Sequence, residues 1–144
     1  MHKLLALMAM AAALCGGAAK AEELPQATLY KNPQCGCCEA YADYLRESGF
    51  AVTVEATHDL PLIKRRFGVP GALEGCHTTL VGGYVVEGHV PVTTLLRLLA
   101  EQPDIKGISL PGMPMGSPGM SGEQSEPFTI YEIGDRPDKV YTVE

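Results

Sequence analysis

The chain of 144 residues lacks an excess of basic residues, since 11 lysines and arginines stand against 17 aspartates and glutamates. This acidic balance offers no electrostatic attraction to nucleic acid or to a membrane of anionic lipids. The sequence also lacks paired carboxylates, a Ser/His/Asp arrangement and a glycine-rich phosphate loop. It therefore gives no support to hydrolysis by these groups or to nucleotide binding.

No apolar run is long enough to span a bilayer comfortably, and the candidate run, Leu4–Leu14, lies near the N-terminus. Within residues 1–21 it follows a basic start and precedes small residues that end in Ala19-Lys20-Ala21. This pattern predicts an export signal that is cleaved before Glu22. Cys15 offers an alternative, a lipid-modified N-terminus, but a leucine precedes it where a small residue is usual. We expect an exported chain without a membrane span.

The expected mature chain, residues 22–144, is long enough for one domain with one core but too short for two. It keeps four cysteines, and in an oxidising compartment unprotected thiols tend to pair. Its three methionines lie within eight residues, inside a segment, 107–122, that is rich in proline and glycine. This composition excludes a helix or a central strand there. Residues 123–144 follow as a C-terminal hairpin or tail.

The spacing of apolar residues predicts the element order βαβαββα, followed by the methionine-containing loop and a final pair of strands. Tyr41, Tyr44 and Leu45 share one face of the first helix, and Gly49 provides a stop after it. Gly82-Gly83 predicts a tight hairpin between the third and fourth strands. The predicted strands cover 28–30, 50–56, 78–81, 84–87, 128–133 and 139–143, and the predicted helices cover 40–48, 61–67 and the segment between Pro91 and Pro103.

A strand, a turn and then cysteines at the start of a helix form the layout of a thioredoxin-like active site. The N-terminal end of a helix stabilises a thiolate through its free N–H groups and its dipole. Cys35 and Cys38 have the C-x-x-C spacing of a redox pair. One interpretation is therefore an α/β, thioredoxin-like protein with a mixed sheet, acting as a metal-free dithiol–disulfide oxidoreductase through these two residues.

The third cysteine of this segment, Cys37, disturbs that interpretation. A disulfide to its neighbour would be strained, and a bond between the other two would leave Cys37 as a nucleophile beside it. A bound cation resolves the conflict, because thiolates are its ligands. Cys76 lies in a loop expected to face the helix and can complete a four-sulfur site, with His77 as a donor or an orienting group. Two structural disulfides are the plain alternative.

The softness of the ligands bears on which metal is bound. Thiolates suit zinc, Cu(I) and iron–sulfur clusters, whereas methionine thioethers favour Cu(I). Met113 and Met115 are two positions apart, so an extended chain places both sulfurs on one side. Methionines often fill gaps in a core instead, but confinement to a Pro/Gly loop favours ligation here. His89 either reaches the site or ends a loop, and its context slightly favours the loop.

The segments YKNPQCGCC, GVP, CHTTLVGGYVVEGHVP and PGMPMGSPGM together resemble the CopG-like family of bacterial periplasmic copper-resistance proteins. The resemblance covers the chain from about Tyr30 to Met120 and implies a thioredoxin-like fold. It also implies several Cu(I) ions in a multinuclear cluster bridged by cysteine sulfurs. By position, the implied thiolate ligands are Cys35, Cys37, Cys38 and Cys76. The matching motifs also contain His77, His89, Met113, Met115 and Met120, whose individual roles the resemblance leaves open.

We therefore expect a periplasmic protein of copper resistance that binds copper ions and meets other periplasmic copper-handling proteins. The same ligands would serve a copper oxidoreductase that interconverts Cu(I) and Cu(II), a store or a shuttle, and the sequence leaves this choice open. The metal-free dithiol oxidoreductase is the alternative from another class. It predicts a disulfide reductase activity that survives the loss of Cys76 and of the methionine loop.

Overall fold

A computed structural model describes residues 23–136 and 138–144, so the predicted export signal lies outside the described residues. The chain follows the order βαβαββα and then adds three strands. In the part of the chain that the structure describes, no helix has the length and apolar character needed to cross a bilayer. The elements are β1 Ala27–Lys31, α1 Gly36–Glu47, β2 Val52–Ala56, α2 Leu60–Arg66, a 3₁₀ turn Gly71–Leu73, β3 His77–Val81, β4 Tyr84–Glu87, α3 Val92–Glu101, β5 Gly107–Ser109, β6 Thr129–Ile133 and β7 Val140–Val143.

The strands of the described residues form one mixed sheet in the order β2-β1-β3-β4-β5-β6-β7. β1 runs parallel to β2 and β4 parallel to β5, whereas the remaining neighbours are antiparallel. Leu29 of β1 packs in one core with Tyr41 and Leu45 of α1 and with Leu95 and Leu98 of α3. The predicted α/β fold, with its mixed sheet and final strand pair, is confirmed.

The hairpin of β3 and β4 determines which residues meet at the open end of these strands. Gly82-Gly83 forms its turn, with positive φ angles of 57° and 84° that glycine tolerates and a tight hairpin requires. The register pairs Thr78 with Glu87. Continued two residues outward, the same register places Cys76 beside His89. The two-glycine turn thus brings a cysteine and a histidine to one place.

The helix that carries the cysteines begins at Gly36, about one turn earlier than the sequence predicts, with Cys35 as its N-cap. Lys31 at the end of β1 is buried and stabilises the turn between β1 and α1. Its Nζ donates to the carbonyl oxygens of Asn32, Pro33 and Cys35 at 3.3–3.4 Å. Because Cys35 forms no side-chain cap, the first-turn N–H groups keep their partial positive charge next to the sulfurs.

The segment predicted as a loop begins with a short buried strand, β5, between β4 and β6. A Cβ on Gly107 would lie 1.8 Å from the carbonyl oxygen of Val85, so this pairing requires glycine. Three residues are too few for an alternating pattern to show in the sequence. From Leu110 to the start of β6 the chain forms no helix and no extended strand, apart from an isolated bridge at Gly112.

Candidate metal centre

Four cysteine sulfurs meet between the start of α1 and the beginning of β3, all within 4.8 Å of one another. The Sγ atom of Cys37 lies 3.5 Å from that of Cys35 and 3.7 Å from that of Cys76. The Sγ atoms of Cys38 and Cys76 are 3.6 Å apart. Cys38 is buried, whereas the other three are half-buried. The structure thus brings the four predicted thiolate positions into one group that solvent can reach.

Within this group, Cys35 and Cys38 are joined by a disulfide, and Cys37 and Cys76 are free thiols. The second bond required by the structural-disulfide alternative is therefore not formed. The free thiol of Cys37 lies beside the disulfide, in a position from which thiol–disulfide exchange can begin. The structure thus shows the oxidised form of the Cys35–Cys38 pair, with the free thiols of Cys37 and Cys76 next to the disulfide.

The thiol of Cys76 is protonated at neutral pH in the metal-free protein. Burial raises its pKa to about 12, and the neighbouring Cys37 adds to the rise. The ammonium group of Lys64 acts in the opposite direction but does not cancel the effect. A thiolate is the form that binds metal, so a cation bound here must displace the proton from Cys76.

His89 borders the cysteine group, although its sequence context slightly favours a loop role. Its Nε2 lies 2.9 Å from the Sγ of Cys76, and its Nδ1 lies 2.6 Å from the carbonyl oxygen of Pro118. A carbonyl only accepts, so Nδ1 carries the proton and Nε2 directs a lone pair towards the sulfur. Burial lowers the pKa of His89, which favours this neutral form. In the sequence, Cys76 and His89 are equally far from the Gly82-Gly83 turn, and this spacing predicts that they lie side by side.

His77 is the second imidazole at the site and is fully buried. Its Nδ1 lies 3.5 Å from the Sγ of Cys76, and within the described residues its Nε2 has no hydrogen-bond partner. Its ring packs 4.6 Å from that of Tyr41 and 4.7 Å from that of His89. Burial, together with His89 and Lys64, lowers its pKa well below the ordinary value. The nitrogen of this neutral imidazole that faces Cys76 is Nδ1, and a neutral ring nitrogen is a suitable metal ligand.

The donor set of the site is soft. Beside the four cysteines, Cys76, His77 and His89 form a second group with ligand atoms within 4.8 Å of one another, and neither group contains a carboxylate. Thiolates and neutral imidazoles suit Cu(I) and Zn²⁺, whereas Ca²⁺ and Mg²⁺ require oxygen ligands. The residues present therefore fit copper.

The methionine-containing loop reaches the site through its later residues. The carbonyl of Pro118 orients His89, and the next residue, Gly119, lies against α1. A Cβ on Gly119 would approach the backbone nitrogen of Tyr41 to 2.8 Å and the carbonyl oxygen of Cys37 to 2.9 Å. The backbone of this loop thus covers the start of the cysteine helix.

The predicted thioether ligands lie elsewhere on the loop. Met113 and Met115 are 55% and 62% exposed, and Met115 lines a groove of about 630 Å³ together with Phe128 and Tyr131. Met120, which follows Gly119, is half-buried. Ligation by Met113 and Met115 stays a prediction.

Comparison with known proteins places the chain in a family. Residues 73–120 match a family described as a protein of unknown function, DUF411. Two solved structures of the copper resistance protein CopG, form 2 and form 1, superpose with TM-scores of 0.77 and 0.76 at 34% identity. Each covers 85% of this chain, and the matches span 99% and 98% of the CopG chains. No curated protein matches the sequence. From this identity and near-complete coverage, together with the shared thioredoxin-like fold and the CxCC cysteine group, the chain belongs to the CopG-like family of copper-resistance proteins.

Proposed function

We propose that this protein is an exported copper-binding protein that holds several Cu(I) ions through bridging cysteine thiolates. The observation that supports the proposal most strongly is the group of four sulfurs within 4.8 Å. One thiolate can bridge two soft ions, so four cysteines serve more than one ion without four ligands for each. His77 and His89 would supply neutral imidazole nitrogens at the Cys76 side of the group.

The proposed redox role is the interconversion of Cu(I) and Cu(II), with Cys35 and Cys38 as the electron-pair partner. Their dithiol form loses two electrons and two protons when the disulfide forms. Two Cu(II) ions accept one electron each and become two Cu(I) ions. The sulfur–sulfur bond seen in the structure corresponds to the product side of this reaction. Cys37 and Cys76 keep their thiols on that side and remain as ligands for Cu(I).

Anaerobic titration of the full chain with Cu(I) tests this proposal. We expect the fully reduced protein to bind more than one ion per chain, and the disulfide form to bind fewer, because two of its four sulfurs no longer act as thiolates. Elemental analysis after gel filtration counts the ions, and a thiol assay establishes the redox state. An equal capacity in both forms would count against thiolate ligation by Cys35 and Cys38.

Thioether ligation by Met113 and Met115 is a separate part of the proposal. Replacing both by leucine removes the sulfurs and keeps the volume and apolar character. We expect weaker retention of Cu(I) against a chromophoric chelator, with an unchanged thiol count. Met120→Leu is the matched comparison for a methionine that the proposal does not include. A double variant with wild-type retention would remove Met113 and Met115 from the ligand set.

A metal-free dithiol–disulfide oxidoreductase is the second candidate, favoured by the disulfide between Cys35 and Cys38. It requires turnover of a disulfide substrate in the presence of a chelator, and activity that persists in Cys76→Ser. The copper proposal expects the dithiol form to reduce two Cu(II) ions for each disulfide that it forms, and Cys76→Ser to bind fewer copper ions. Measuring both activities in the same preparations separates the two candidates.

The periplasmic location and the partners complete the proposal. The pattern of residues 1–21 supports export and cleavage before Glu22. Periplasmic extraction followed by N-terminal sequencing tests both points, and retention in the cytoplasm with an intact N-terminus would contradict them. Other copper-handling proteins of that compartment are the proposed donors or acceptors, and copper transfer to an unloaded partner would reveal them.

A further inference from the structure

A buried ion pair contacts the segment that carries Cys76, although neither of its residues belongs to the candidate ligand set. Lys64 of α2 and Glu87 at the end of β4 are in contact, with 5% and 0% of their side-chain surfaces exposed. Removal of both charges from water offsets much of their attraction, so such a pair adds little to stability on its own. Burial raises the pKa of Glu87, while Lys64 and the hydrogen bonds of the carboxylate oppose this rise. The sequence patterns give no sign of this pair.

The carboxylate of Glu87 holds both ends of the segment 75–78, in which Cys76 lies. Its Oε1 accepts the N–H of Gly75 at 2.8 Å, and its Oε2 accepts the hydroxyl of Thr78 at 2.6 Å. Lys64 donates to Glu87 and, at 3.2 Å, to the oxygen of Thr78. Four polar groups are therefore satisfied together, and α2 is tied to the same four-residue segment.

The backbone around this segment leaves little room for an alternative position. A Cβ on Gly75 would lie 2.7 Å from the Cα of Gly88, so these two segments of the backbone approach each other closely. Cys76 follows Gly75 directly, and its Sγ lies 3.7 Å from Cys37 and 3.6 Å from Cys38. A shift of the 75–78 segment would therefore change the sulfur–sulfur distances at the site.

We infer that Glu87, held in place by Lys64, is a positioning residue for Cys76. Its carboxylate fixes the 75–78 segment from both ends and so keeps the sulfur of Cys76 directed at the start of α1. The consequence for copper rests on the proposed function, because it assigns Cys76 a role as a ligand. The positioning itself is a property of the metal-free protein and can be measured there.

Glu87→Asp tests this role without removing the negative charge. The side chain is one methylene shorter, so its carboxylate can keep Lys64 as a partner but lies too close to the β4 backbone to reach the Gly75 nitrogen and the Thr78 hydroxyl together. In the metal-free disulfide form of the full chain, iodoacetamide labelling followed by peptide mass spectrometry gives a separate rate for each thiol. We expect Cys76 to react about tenfold faster, the effect of losing one charge-assisted hydrogen bond, and Cys37 to change by less than about twofold.

Two further variants keep the experiment decisive. Thr78→Val preserves shape and removes the hydroxyl that bonds to Glu87 and Lys64, so it releases one end of the 75–78 segment and tests the same point if Glu87→Asp fails to fold. Glu132→Asp alters the Lys139–Glu132 pair of the C-terminal strands, whose nitrogen and oxygen are 2.8 Å apart, and serves as the matched control. We expect wild-type labelling of Cys76 in this control.

The copper measurement forms a separate arm of the test. We expect Glu87→Asp and Thr78→Val to retain Cu(I) less tightly than the wild type and the control variant. Faster labelling of Cys76 in a protein that binds no copper would support the positioning role and contradict the proposed function. Unchanged labelling of Cys76 in the folded variants, or equal acceleration of Cys37 and Cys76, would overturn the positioning role whatever the copper result.

Discussion

The Sγ atoms of Cys37 and Cys76 lie 3.7 Å apart, although 39 positions separate the two residues along the chain. This contact joins the first turn of α1 to the hairpin of β3 and β4. Both residues are free thiols while Cys35 and Cys38 form a disulfide. The oxidised protein therefore keeps a pair of adjacent thiols, with the imidazole of His89 against one of them.

Substitution of His89 provides the first prediction. We expect His89→Gln to weaken Cu(I) binding by roughly 10- to 100-fold, because the change removes an imidazole nitrogen 2.9 Å from the Sγ of Cys76. Competition with a chromophoric Cu(I) chelator measures the affinity. His58→Gln is the matched control, since His58 is exposed and belongs to neither candidate ligand group. Equal affinities of the two variants would contradict a role for His89 at the metal centre.

The raised pKa of Cys76 predicts how the stability of the metal-free protein depends on pH. Its value is about 12 in the folded chain, against 9.0 for an ordinary cysteine. The folded state therefore binds this proton more tightly than the unfolded state does. The resulting stabilisation is complete below about pH 9 and is lost as the pH rises towards about 12.

Urea unfolding at several alkaline pH values, with chelator present, measures this effect. We expect the free energy of unfolding of the wild type to fall more steeply above about pH 9 than that of Cys76→Ser, which lacks the titrating thiol. The two proteins differ by the thiol of Cys76 and by its interaction with Cys37, so the difference between the profiles reports the Cys76 thiol in its site. Parallel pH profiles for the two proteins would disprove the assignment.

The close approach of Gly119 to α1 predicts a large cost for a small substitution. Gly119 has a φ of +82°, and an added Cβ would meet the backbone of Tyr41 and Cys37 at 2.8–2.9 Å. Gly112 has a similar φ of +71° but open space around it, so Gly112→Ala carries only the backbone penalty of about 1–2 kcal/mol. We expect Gly119→Ala to cost about 3 kcal/mol or more, because a steric clash adds to that penalty.

Chemical denaturation of the two alanine variants measures this difference. We also expect Gly119→Ala, but not Gly112→Ala, to weaken Cu(I) binding, because displacement of the loop moves the Pro118 carbonyl that orients His89. Equal stability losses in both variants would show that the loop does not press on the helix.

Much of the fold follows from local sequence patterns. The alternating strands, the Gly82-Gly83 turn and the leucine-rich helix each have a periodicity or a turn signal that acts over a few residues. The strand β5 escapes prediction because it has three residues and depends on a close contact between Gly107 and Val85. The early start of α1 also escapes, because its N-cap is a cysteine rather than a usual capping residue.

The candidate site divides in the same way. Three cysteines within one helical turn predict a thiolate site from the sequence alone, and the expected topology predicts that Cys76 lies next to them. The position of His89 follows only from the register of the β3–β4 hairpin. This register places Cys76 and His89 opposite each other because they are equally far from the turn. Lys64 and Glu87 are invisible to pattern analysis, because charged residues are normally exposed and only the assembled core shows this pair to be buried.

Counting Cu(I) ions in the reduced wild type and in Cys37→Ser tests the central claim, that the third sulfur of the CxCC segment is a bridging metal ligand. Cys37→Ser leaves the Cys35–Cys38 pair and the start of the helix in place. We predict more than one ion per chain for the wild type and a smaller number for Cys37→Ser. A stoichiometry of one that Cys37→Ser leaves unchanged would contradict the account.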